Sequence, residues 1–131
     1  MLLEAGTTCW RVEIAPRAAF FVDMADYFAA AKLAMAKAHR SIHLLNWAFD
    51  PDTLFAPEPG GEGPSSDRFG VFLKTLGKER PALDIRVLCW KSPLPVAATQ
   101  KFFPLKARAC LAGSPVRFLL DGALPAGPPT P

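Results

Sequence analysis

The sequence predicts an α/β fold, a layered α-β-α arrangement built on a mostly parallel sheet. Three observations predict it. Short strand-like apolar runs near 41–49, 83–90 and 116–120 alternate with stretches of helical spacing. The first run is apolar on both faces, as a strand covered by helices on two sides would be. The first helix leads into the first long strand with almost no linker, and the order of strand, helix and strand that follows predicts right-handed crossovers.

The elements follow in order. "RVEIAPRAAFFVDMADYF" predicts short strands at Arg11–Ile14 and Ala18–Val22, broken at Pro16. Asp23 is placed to cap a helix running from Met24 to about His39. Met24, Tyr27, Phe28, Ala31, Met35 and Ala38 form its apolar stripe, with Asp26 and Lys37 on the far side. "SIHLLNWAFDPD" supplies the first sheet strand, in which Ile42 and Leu44 alternate with Leu45, Trp47 and Phe49. Residues 57–66, rich in proline and glycine, form a flexible surface loop. Asp67 then caps a second helix with Phe69, Phe72, Leu73 and Leu76 on one stripe, ended by Gly77 and Pro81. "LDIRVLCW" is the next strand, with Leu83, Ile85, Val87 and Cys89 on one face and Leu88 and Trp90 on the other. Val96–Ala112 has helical composition that Pro104 must break or kink, and "PVRFLLD" is the last strand. Residues 122–131 are a proline-rich loop.

Composition narrows the function classes. The 131 residues are one domain's length and half of them are apolar. The net charge of +3 is dispersed among acids, without a basic arm for nucleic acid. Cys9, Cys89 and Cys110 are odd in number, far apart and without a C-x-x-C, which fits reduced structural thiols better than a disulfide framework or a zinc site. The start lacks a signal-peptide pattern and no window has the length of a membrane span, so a soluble protein, cytoplasmic by its thiols, is expected.

Parallel sheets gather ligands at the carboxyl ends of their strands. Those ends carry Trp47, Asp50, Trp90, Lys91 and Asp121. Trp47 and Trp90 would wall a pocket in which Asp50 and Asp121 orient or protonate a ligand. The competing reading puts both tryptophans in the core and makes "FDPD" a turn, with Asp50 capping the backbone ahead of Pro51. Gly60, Gly61 and Gly63 precede a helix, but no phosphate-binding fingerprint surrounds them and Glu58, Glu62 and Asp67 would repel an anion. His39 and His43 lack partners at metal-ligand spacing, and no serine sits in a nucleophile elbow. No cofactor, metal or catalytic residue is expected in this chain.

Certain phrases and their order resemble the opening of a phospholipase D superfamily protein. They are Asp23, Tyr27 and Phe28 at the start of a helix; Ala-x-x-Ser-Ile leading to Trp-x-Phe-Asp-Pro; a Leu-x-x-Leu helix followed by "RVLCW"; and "VRFLLDGALP". The resemblance runs from Ala18 to Pro131. It implies the amino-terminal part of the first of two α/β halves, hence an incomplete sheet completed by the remainder of that fold. It also implies phosphodiester chemistry in which one histidine attacks phosphorus, a second protonates the leaving group, and lysines hold the phosphate oxygens. No metal enters that mechanism. The chain has no His-x-Lys: His39 is followed by Arg40 and Ser41, and His43 by Leu44 and Leu45. The expectation is therefore a fragment inactive by itself, ending before its first catalytic motif. Its parent would act on a phospholipid or another phosphodiester, at a membrane surface without being integral to it, with nucleic acid ranked behind lipid. Two alternatives stand beside it. One is a short non-catalytic α/β module for binding or assembly; the other is a dinucleotide-binding domain, disfavoured by the missing glycine fingerprint.

Overall fold

A computed structural model describes residues 2–57, 63–91 and 104–122 of the chain. Two-residue alternation builds its sheet. Strands β1 (Ser41–Asn46), β2 (Asp84–Trp90) and β3 (Arg117–Asp121) pair in parallel in the order β1-β2-β3. Because successive side chains point to opposite faces, Ile42, Ile85, Val87 and Cys89 are buried on one face, with Leu44, Phe118 and Leu120 packed beside them. Onto that face come α1 (Met24–Ala36), α2 (Phe69–Glu79) and α3 (Pro104–Leu111), whose Met35, Leu73, Leu76, Ala107 and Leu111 join the same core.

The fold class is thus the expected one, an open all-parallel α/β sheet in incomplete form. The run 42–49, read as covered on both sides, meets helices on one face only among the described residues. Leu45 is 74 % exposed on the other face, as is Leu119 at 64 %. Both belong to an apolar half of that face near the strands' carboxyl ends. The amino-terminal half is polar, with Asp84 bonded to Arg86 and Arg117.

The segment after β1 fixes where α2 begins. The first N–H groups of a helix lack partners inside it. Here the Phe69 N–H donates to the Thr53 carbonyl (2.8 Å) and the Gly70 N–H to that of Pro51 (2.8 Å). With those donors satisfied by backbone, Asp67 does not cap α2 as expected, and the N-cap position is Arg68. The Asp67 carboxylate turns instead to the Ala56 N–H (2.8 Å) and to Lys32 of α1. Gly70 permits the close approach, because a Cβ there would lie 2.6 Å from Pro51 Cβ and 2.8 Å from Cys110 Sγ.

Other expectations are corrected at the amino end. Arg11–Ile14 and Ala18–Val22 form no strand; Ile14 and Val22 are exposed, and among the described residues neither stretch pairs with the sheet. α1 starts as expected, with the Asp26 N–H donating to Asp23 Oδ1 at 3.1 Å, but ends at Ala36 rather than near His39. The Lys37 N–H there closes on the Leu33 and Ala34 carbonyls, both at 3.2 Å. Within its stripe, Met35 is buried while Met24 and Tyr27 are largely exposed. Of the loop at 57–66, residues 65 and 66 open a 3₁₀ turn that ends at Asp67, and 58–62 lie outside the described residues. Residues 96–103 of the third helical stretch and 123–131 of the proline-rich loop also lie outside them; α3 opens at Pro104, where a missing N–H costs nothing.

Two stability measurements check this account. Gly70→Ala should lower stability by about 1–3 kcal/mol in urea titration, reversing the usual helical advantage of alanine, because the added methyl meets Pro51 and Cys110. Asp67→Asn should cost about 2 kcal/mol at neutral pH, less than a fully buried pair because Lys32 keeps a good part of its side chain in water. Burial alone would raise the Asp67 pKa, but Lys32 and the Ala56 and Phe55 N–H groups outweigh it and the net direction is down. Its contribution is therefore present above the ordinary carboxylate range and lost as pH falls through the lowered folded value, so the urea midpoints of parent and variant should converge in acid.

Candidate functional site

The carboxyl ends of β1 and β2 bring two of the anticipated residues together. Trp47 directly follows β1 and Trp90 closes β2, and their ring centroids lie 4.2 Å apart with planes inclined at 39°. β3 pairs with β2 so that Asp121 stands opposite Trp90, and the Lys91 N–H donates to the Asp121 carbonyl at 2.7 Å. A cavity of about 330 Å³ opens at this rim, lined by residues 45–47 and 88–90 and by Asp121. That volume is at the small end of ligand sites. Trp47 is 66 % exposed, so the tryptophans do not form the core that the competing reading gave them.

Asp50 stays apart from this group. Its Oδ1 accepts from the Asp52 N–H at 3.0 Å, and its carbonyl accepts from the Thr53 N–H at 3.2 Å, which is the turn "FDPD" suggests. Lys106 of α3 reaches back to Asp50 at 3.1 Å and also pairs with Asp52, which Arg68 contacts at 3.0 Å. The hydrogen bond from Lys106 holds Asp52 below the usual carboxylate range against the opposing effect of burial, and Arg68 adds to it. Asp50 and Asp52 thus clamp the turn to α3 and to the start of α2, which leaves Asp121 as the carboxylate at the tryptophan rim.

Burial pushes the Cys89 thiol up to about 11, so it stays protonated at neutral pH. His43 lies on the open face of β1 opposite Arg86, and His39 is exposed beyond α1. Among the described residues, no group of three His, Cys, Asp or Glu could hold a metal ion, and no helix is long and apolar enough to cross a membrane.

A larger hollow of about 910 Å³ was not anticipated. It runs between α1 and the outer edge of β1, with Phe28, Ala31, Ala34 and Ala38 on the helix side and Ile42 and Leu44 on the strand side. Its signal in the sequence is the alanine run of "AAAKLAMAKA": side chains this short hold a helix to the core at Met35 while leaving space beside it.

No protein-family model matches the chain, and no curated protein matches it either.

The tryptophan pair has a spectroscopic consequence. Two indoles at this separation couple, so Trp47→Phe should remove an exciton couplet from the far-ultraviolet circular dichroism. It should lower stability by no more than about 1 kcal/mol, because the ring is mostly in solvent. Trp10→Phe, at a position where the ring is 87 % exposed, should leave the couplet intact.

Proposed function

We propose that this chain is the non-catalytic opening part of a phospholipase D-like phosphodiesterase, its histidines and lysines supplied by polypeptide outside this sequence. The observation that carries the reading is the order of the phrases at Asp23–Phe28, Ala38–Ile42, Trp47–Pro51 and Arg86–Trp90, together with the absence of His-x-Lys from all 131 residues. The parallel β1-β2-β3 sheet and the tryptophan rim at its carboxyl ends support it, since a ligand crevice belongs at that end of such a sheet. In this reading a histidine outside the chain attacks the phosphorus of a phosphodiester and forms a phosphohistidine. Trp47 and Trp90 offer an apolar wall to the part of the substrate remote from phosphorus. Phospholipid is the favoured substrate, met at a membrane surface, ahead of nucleic acid. The free thiols Cys9, Cys89 and Cys110 fit a cytoplasmic setting.

The 131-residue chain should release no choline from phosphatidylcholine vesicles and no nitrophenol from bis(nitrophenyl) phosphate. A longer reading frame carrying His-x-Lys should turn over at least one of them, and Trp47→Ala in that longer chain should raise KM more than it lowers kcat. Turnover by the 131-residue chain would overturn the proposal.

A further inference from the structure

We draw no further inference here: the strongest candidate, the apolar hollow of about 910 Å³ between α1 and the outer edge of β1, is open only among the described residues, and nothing in the structure shows what covers it.

Discussion

The carboxylate of Asp67 is the constraint on which the rest of the arrangement depends. It is the charged side chain that the described core buries, and a buried charge persists only when its partners are in place. Those partners come from separate parts of the chain: Lys32 from α1, the Ala56 N–H from the segment after β1, and the 3₁₀ turn leading into α2 as its own backbone. Satisfying one acid thus sets the helix that precedes the sheet against the crossover that follows β1. Aromatic packing at the same junction adds area. Phe55 meets Phe28 edge-on at 6.3 Å, Phe69 at 4.7 Å and Phe72 at 5.2 Å, and Lys32 Nζ lies 5.6 Å from the Phe55 ring centre. The polar contact gives the junction its geometry, and the ring cluster supplies the larger share of its burial.

Among the described residues the helices gather to one side of the sheet, which leaves one face covered and the other open. The open face is graded along the strands. Arg86 and Arg117 converge on Asp84 near the amino ends, and their hydrogen bonds, Arg86 first and then Arg117, pull that carboxyl down to about 2. Toward the carboxyl ends Leu45, Leu88 and Leu119 give way to the two tryptophans. The gradient aims apolar surface, with Asp121 at its margin, at the end of a parallel sheet where loops and ligands meet.

Much of this was legible in the sequence, and the failures share a cause. β2 was clear because "LDIRVLCW" alternates strictly against a buried face, and α2 because Phe69, Phe72, Leu73 and Leu76 recur at helical spacing. Arg11–Ile14 has the same alternation yet forms no strand, since alternation states which side chains share a face and not whether a neighbouring edge exists to pair with. Asp67 was an acceptable cap by type and position. Its true role depends on Lys32, thirty-five positions away, and on carbonyls at Pro51 and Thr53, a relation that local pattern does not carry. At the rim, type and position sufficed to nominate Trp47, Trp90 and Asp121. Asp50 separated from them because Pro51 turns the chain toward α3, where Lys106 receives it.

The tryptophan rim and the turn at Asp50 lie close in sequence but put the end of β1 to different uses. Asp50 and Asp52 are engaged by Lys106 and Arg68, so their charge fixes the turn after β1 against α3 and the start of α2. Trp47 and Trp90 instead meet each other, and the pairing of β2 with β3 sets Asp121 opposite Trp90. Ion pairs between the turn and the helices thus hold the strand ends in place, and the rings are left to face outward: Trp47 keeps two thirds of its surface exposed although the chain turns directly after it. A ligand at the rim would therefore meet aromatic surface on a support that charge has already fixed.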